Sequence, residues 1–478
     1  MTIDIFSASP QRLVDVAPQL ERILMGVGDA PSRFAATEIR HETVWVTMRD
    51  GVRLATDLYL PPTRTAPAIA MRTPYSRASA KNISISLALA RSGYVVIAQD
   101  CRGTGDSEPE SWDYYVYESE DGVDLVEWIG GQNWFDGFLG ACGGSYVGQT
   151  QWCMALHPRM STIVPEVSSL GIAINTAHLY MLINAYARSV GKGKGKVAVH
   201  YSELEGQMKE ETLAGGYFNE PLHQPFSAAL QSLYPELRSM QPAQAKRWLW
   251  AQYCALPSAQ RAAFIKKALG ADSVSMLEVE SLSMIFGHRV PHDAHTLPHA
   301  DPTELCRLLH APALMITGWY DWALNDELAT WDLLRREALQ PVRSRCRLIV
   351  SPSAHNVPGY REGMNDHPEL QRIYRTENIL ELLLCWYAAV RQGTTDAWPT
   401  VIYYLMGANE WRVSSEWPPP EMQHVALYLG PGGTLVSQMP AQNADPDSYT
   451  YDPRNPTPTV GGSISPSAAL SINVRVGS

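Results

Sequence analysis

Gly143-Gly144-Ser145-Tyr146-Val147-Gly148 lies between a short apolar run, Phe138 to Cys142, and a helical run, Tyr146 to Leu156. A serine in that context reads as a nucleophile elbow. Glycines permit a turn sharp enough to hold the hydroxyl clear of the strand, and the start of the next helix favours developing negative charge. Val147 stands where G-x-S-x-G has its last glycine, and Gly148 follows it; the plainer alternative is a glycine-rich turn with an incidental serine. As a nucleophile, Ser145 needs a base for its proton and a carboxylate to fix the tautomer of that base. Its tetrahedral intermediate needs hydrogen-bond donors, and the backbone N–H of Tyr146, directly after the nucleophile, is one.

Other clusters carry weaker chemistry. Asp100-Cys101-Arg102-Gly103-Thr104-Gly105-Asp106-Ser107 has the glycine spacing of a phosphate loop but no Gly-Lys-Ser/Thr, so Arg102 and Asp106 are expected to tie strand ends together. His288, His292, Asp293, His295 and His299 lack the helical spacing of a zinc site and are broken by Pro291 and Pro298; a loop is expected, with no metal. Gly191-Lys192-Gly193-Lys194-Gly195-Lys196 reads as a solvated loop, because no strand and helix flank it. His157, before Pro158 at a helix end, reads as a packed or capping residue.

The elements that must position Ser145 follow from hydrophobic periodicity. Thr43 to Met48 and Val52 to Leu60 flank Asp50-Gly51, a hairpin signal. Strands at Ala68 to Met71, Tyr94 to Ala98 and Phe138 to Cys142 then alternate with helices at Ile83 to Arg91, Ser119 to Ile129 and Tyr146 to Leu156. Alternation of this kind implies a mainly parallel sheet. It stops near Val167, gives way to helical pattern as far as about residue 300, and resumes at Ala313 to Ile316, Glu327 to Arg336, Arg347 to Val350 and Thr376 to Val390. A helical block inserted into such a sheet is a cap that shapes a cleft over the strand ends. From Trp398 onward, Val401 to Met406 and His424 to Leu429 are strand-like between Pro and Gly clusters. At the other end, residues 10–27 have helical spacing interrupted by Pro18.

Gly-x-Ser-Tyr-x-Gly, preceded by Asn133-Trp134-Phe135-Asp136-Gly137, resembles the cocaine esterase/X-Pro dipeptidyl peptidase group of α/β-hydrolases, which includes the α-amino acid ester hydrolases. The resemblance also rests on Met48 to Tyr59, Arg72-Thr73-Pro74-Tyr75, Asp100 to Ser107, Gly318-Trp319-Tyr320-Asp321, Met406 to Arg412, and Tyr451-Asp452-Pro453 through Gly462. It implies an α/β-hydrolase fold with a helical cap insertion and a C-terminal jelly-roll-like β domain. The corresponding partition is an N-terminal helical extension over 1–40, a catalytic domain over 41–166 and 305–395, a cap over 167–304 and a β domain over 396–478. Triads of this fold run Ser, Asp/Glu, His along the chain. Asp321 and His355 both follow strands in that order, with Asp326 a nearby rival and Ser353-Ala354-His355-Asn356 a loose match to the family pattern. The resemblance makes the Tyr75 hydroxyl the second oxyanion donor and puts Trp319 and Trp322 beside the substrate. Relatives acting on α-amino esters grip the substrate ammonium with carboxylates, and the matching Ser168 to Ala173 has none.

Composition sets the outer limits. The 478 residues carry 49 acidic against 38 basic side chains, a net charge of −11, with 45% hydrophobic and 18% charged residues. That is a globular composition of two or three domains. An acidic chain with no Lys/Arg stripe argues against nucleic acid and anionic membrane as main partners. No apolar run spans a bilayer and no signal peptide is read at the start, while seven scattered cysteines without C-x-x-C pairs read as reduced thiols of a cytoplasmic protein. The expected activity is hydrolysis of a small-molecule ester or amide through an acyl-enzyme, with no cofactor. Two rivals are acyl transfer to an amine or alcohol through the same intermediate, and a non-catalytic binding protein on the same scaffold, which would lack a triad member. Few residues follow Gly462, so an incomplete sandwich is expected, its apolar faces covered by the N-terminal helix or by a second copy in a homo-oligomer.

Overall fold

The computed structural model describes residues 10–25, 32–109, 117–170, 302–321, 323–355, 376–430 and 432–439, with a few isolated positions elsewhere. The cap expected over 167–304 therefore lies almost wholly outside the described residues, as do the lysine–glycine loop and the histidines at 288–299.

A ten-stranded sheet forms the centre. Its strands are β1 (Arg40–Thr47), β2 (Arg53–Leu60), β3 (Ala66–Thr73), β4 (Val95–Asp100), β5 (Phe135–Gly144), β6 (Thr162–Glu166), β7 (Leu314–Tyr320), β8 (Arg347–Ala354), β9 (Val401–Leu405) and β10 (Glu410–Ser414). They lie in the order β1-β2-β4-β3-β5-β6-β7-β8-β9-β10. β1 and β2 are the hairpin expected at Asp50-Gly51, with Thr47 opposite Arg53 and Gly51 at φ +88° where a side chain would be strained. From β4 to β9 all pairs are parallel, and β10 returns antiparallel to β9. β11 (Tyr428–Gly430) and β12 (Thr434–Val436) form a separate two-stranded sheet.

Both sheet faces are covered, as a parallel sheet requires. On one face, α4 (Glu118–Gly130), α5 (Tyr146–Met154), α6 (Pro302–Leu308), α7 (Leu324–Glu337) and α8 (Val342–Arg345) bury Leu125, Ile129, Trp152, Leu305, Trp331 and Val342. On the other, α1 (Leu13–Val16), α2 (Pro18–Leu24), α3 (Ala80–Arg91) and α9 (Thr376–Gln392) bury Leu13, Ile23, Leu89, Leu383 and Trp386. The N-terminal segment also closes the sheet edge. Arg12 bridges Arg412, the Val413 N–H donates to Gln11 O at 3.0 Å, and the Arg412 guanidinium donates to Pro10 O.

The chain leaves β3 to form β4 on one side, then crosses back to place β5 on the other. The sheet order thus reverses between β3 and β5, and the crevice outside the strand ends at such a switch point is where open α/β sheets bind ligands. Tyr75 follows β3 and Ser145 follows β5.

Candidate active site

Ser145 sits between the last residue of β5 and the first of α5 with φ +58° and ψ −124°. Three other non-glycine residues among those described have positive φ: Ser76 after β3 and Val167 after β6, on the side of Ser145, and Asn409 in the β9–β10 turn. Each such conformation costs about 1–3 kcal/mol, and strain of this kind gathers where a site needs an otherwise unfavourable geometry. Two glycines make the turn sterically feasible. A Cβ on Gly143, at φ +130°, would come within 2.5 Å of Val147 Cγ1, and one on Gly148 within 2.5 Å of Ser168 Cβ. The displaced glycine of the motif thus has a physical reason: helix α5 passes the β6 exit at residue 148, and Val147 can be large because Gly143 gives it room. The buried amide of Gln151 completes the turn, accepting from Val164 N at 2.9 Å and donating to Gly143 O at 2.9 Å.

Three strand ends supply the partners. His355, after β8, sets Nε2 2.9 Å from Ser145 Oγ. Its Nδ1 lies 3.0 Å and 3.3 Å from the two oxygens of Asp321, after β7. The Asp321 side chain has no solvent exposure and also accepts from Ala323 N at 2.8 Å, which fixes its plane. Asp321 is therefore the carboxylate at His355, while the rival Asp326 lies in the first turn of α7. The Tyr75 hydroxyl donates to Ser145 Oγ at 3.3 Å and accepts from Tyr146 N–H at 3.4 Å. The Tyr146 N–H and the Tyr75 hydroxyl thus lie side by side next to the serine oxygen. Trp319, on β7, donates its indole N–H to Tyr404 O at 2.6 Å, and its ring lies tilted against Trp417 with centroids 5.7 Å apart. Trp322 lies outside the described residues.

Two buried carboxyls flank this constellation and were not singled out in the sequence. Glu327 of α7 is buried, hydrogen-bonds the Thr317 hydroxyl, and is pushed well above the usual carboxyl range by burial and by the charge of Asp321. Glu166 ends β6, and its carbonyl accepts the Ser145 N–H at 2.9 Å. Burial raises its carboxyl to about 7 against the opposing pull of Lys81. Beneath the Tyr75 loop, Arg77 is enclosed by Asp57, Asp100 and Asp106, and Arg102 joins Asp50 to Asp121. The Asp100–Ser107 loop thus binds strand ends through its own charges: a Cβ on Gly105 would fall 2.1 Å from Asp100 Oδ2. His157 pairs with Glu127 at 2.8 Å. Among the described residues, no group of three or more His, Cys, Asp or Glu side chains is arranged to hold a metal, and no helix is long and apolar enough to cross a membrane.

Comparison with known proteins follows the same lines. The sequence model of the X-Pro dipeptidyl-peptidase (S15) family matches residues 50–357, and that of the X-Pro dipeptidyl-peptidase C-terminal non-catalytic domain matches 393–471. A cocaine esterase from Rhodococcus sp. (strain MB1 Bresler) is 29% identical over 451 residues, spanning 88% of this chain and 69% of that one. Among solved structures, an aminopeptidase from a marine sediment archaeon (Thaumarchaeota) superposes with a TM-score of 0.56 at 20% identity, covering 90% of this chain and 68% of that one. An α-amino acid ester hydrolase gives 0.54 at 19% identity, covering 92% and 70%. These two structures share the α/β-hydrolase fold with this chain.

Proposed function

The chain belongs to the X-Pro dipeptidyl-peptidase (S15) family and is a serine hydrolase of ester or peptide bonds; we propose that it acts through an acyl-enzyme on Ser145. The observation that supports this reading is the continuous hydrogen-bonded line from Ser145 Oγ to His355 to Asp321, at 2.9 Å and 3.0 Å. Ser145 attacks the substrate carbonyl as His355 Nε2 takes its proton. Asp321 accepts from the Nδ1–H and offsets the positive charge that builds on the ring. The carbonyl oxygen, turning negative, takes the place between Tyr146 N–H and Tyr75 O–H. His355 then protonates the leaving group, and water repeats the sequence on the acyl-enzyme.

Esters are the favoured substrate class. A relative that matches 88% of this chain is named a cocaine esterase, and Ser168 to Ala173 offers no carboxylate for the ammonium of an α-amino substrate. The test is a fluorophosphonate probe together with a p-nitrophenyl ester. Ser145→Ala should abolish labelling and lower turnover by roughly 10³ or more. A Ser145→Ala enzyme that still labels and turns over at the full rate would assign the chemistry to another residue.

A further inference from the structure

Tyr146 contributes only a backbone N–H to the reaction, yet its phenol is engaged as well. The ring is buried, and its hydroxyl donates to Glu118 Oε1 at 2.7 Å. Glu118 opens helix α4 and is 3% exposed; its other oxygen lies 2.8 Å from Arg72 Nη1, in a side chain with no exposure at all. The same Nη1 donates to the Glu118 carbonyl at 2.9 Å, and Arg72 Nε donates to Gln99 Oε1 at 3.0 Å. The Arg72 carbonyl in turn accepts from Thr150 Oγ1 at 3.0 Å, one turn along α5 from Tyr146. Strand β3, helix α4 and helix α5 therefore meet at one buried ion pair. The strand leads to Tyr75 and the helix α5 begins at Tyr146, so both donors of the oxyanion site depart from this junction.

A buried carboxylate and guanidinium are costly unless every lone pair and proton finds a partner. A phenylalanine at 146 would fill the same volume without asking for a charged acceptor. The arrangement has a use if the phenol is a handle. Tyr146 is the first residue of α5, where the peptide N–H has no partner within the helix and its direction is set by how the turn is held. Anchoring the ring at its far end to a carboxylate, which is itself clamped by Arg72, fixes that direction.

We infer that Glu118 is a positioning residue of the oxyanion hole: through the Tyr146 phenol, it aims the Tyr146 N–H at the spot shared with the Tyr75 hydroxyl. The inference rests on the reading of that N–H as an oxyanion donor. It separates the side chain of Tyr146, which acts at a distance, from its backbone, which meets the substrate.

The experiment compares wild type with Tyr146→Phe, which removes only the anchoring bond, and with Glu118→Asp, which keeps the charge but withdraws it from the phenol. Steady-state kinetics on a p-nitrophenyl ester are read beside inhibition by an alkyl trifluoromethyl ketone, whose adduct oxygen occupies the oxyanion position. Both variants should lower kcat by on the order of 10-fold to 10²-fold, the scale of a misaimed group. Inhibitor affinity should fall by the same factor, with KM within about two-fold; Tyr146→Phe leaves Glu118 Oε1 without its donor and lowers the unfolding temperature, so both rates are read at a temperature where each variant is fully folded. Unchanged kcat and inhibitor affinity would overturn the inference, and so would a fall in KM-independent activity that tracks lost folded protein instead of weakened inhibitor binding. Ser145→Ala and Tyr75→Phe are run in parallel. If they lose activity while Tyr146→Phe does not, the anchor fails and the active-site reading stands; if all retain full activity, that reading fails too.

Discussion

Replacing Glu166 by glutamine should make the protein more stable at neutral and alkaline pH while leaving it nearly unchanged in acid. The carboxyl ends β6 directly behind the nucleophile, and burial raises it from 4.5 to about 7. Its neighbours Cys142, pushed up to about 12, and Tyr387, pushed well above its usual value, are both neutral near pH 7 and offer no counter-charge. A carboxyl whose folded value is raised binds its proton more tightly folded than unfolded. Its contribution is therefore intact below about pH 4.5 and is lost as the pH rises toward 7. At about 1.36 kcal/mol per pH unit, the loss over that window is about 3 kcal/mol. Glutamine mimics the protonated form and has nothing to lose. Urea unfolding of both proteins from pH 4.5 to 8.5 should give a stability difference that grows by about 3 kcal/mol in favour of the variant, most of it before pH 7.5. A difference that stays constant with pH would mean that Glu166 ionises normally, and that burial at the β6 exit does not control it.

Three further outcomes are expected. Tyr75→Phe should fold normally and lower kcat by about 10²-fold with little change in KM, as loss of one oxyanion donor does; steady-state ester hydrolysis checks it. Gly148→Ala should destabilise by about 1–3 kcal/mol, because the new Cβ meets Ser168 at 2.5 Å and Glu166 O at 3.1 Å in a packed turn, and a thermal melt reads the cost. Glu327→Gln should remove a loss of stability that wild type suffers as the pH rises above the usual carboxyl range, since Glu327 too is held well above it, and unfolding titrations at pH 5 and pH 9 measure the difference.

What could be read from the sequence depended on whether the signal was local. Asp50-Gly51 announced the first hairpin, and the alternating strands and helices from Ala68 to Leu156 announced a parallel sheet, because both follow from turn chemistry and periodicity in one stretch of chain. The serine turn was legible for the same reason. β6 was not: five residues containing Pro165 make too short a run, and only the strands on either side define it. Val401 to Leu405 could be recognised as a strand, but not its pairing with β8 in the main sheet, since a strand's sequence does not name its neighbour. His424 to Leu429 looked like a strand, yet only Tyr428–Gly430 pairs, and the residues before it remain in no ladder. The buried charges were the least visible. Ser119 to Ile129 read as a helix with nothing to single out Asp121, which is 1% exposed between Arg72 of β3 and Arg102 of the loop after β4. Which member of an acidic run is buried is decided by tertiary approach, and periodicity does not carry that.

The stitch between the N-terminal segment and β10 has a consequence for how the chain assembles. Pro10 and Arg412 are 402 positions apart in sequence. Bringing such distant points together from a random chain costs about 5 kcal/mol in closure entropy before any contact repays it. The cost largely disappears once β1 to β9 are in place, since the folded sheet then fixes where β10 stands. Helices α1 and α2 are thus among the last to dock. Leu13, Leu20, Ile23 and Leu24, all buried in the finished protein, must wait in water until β10 and α9, both far along the chain, give them a wall.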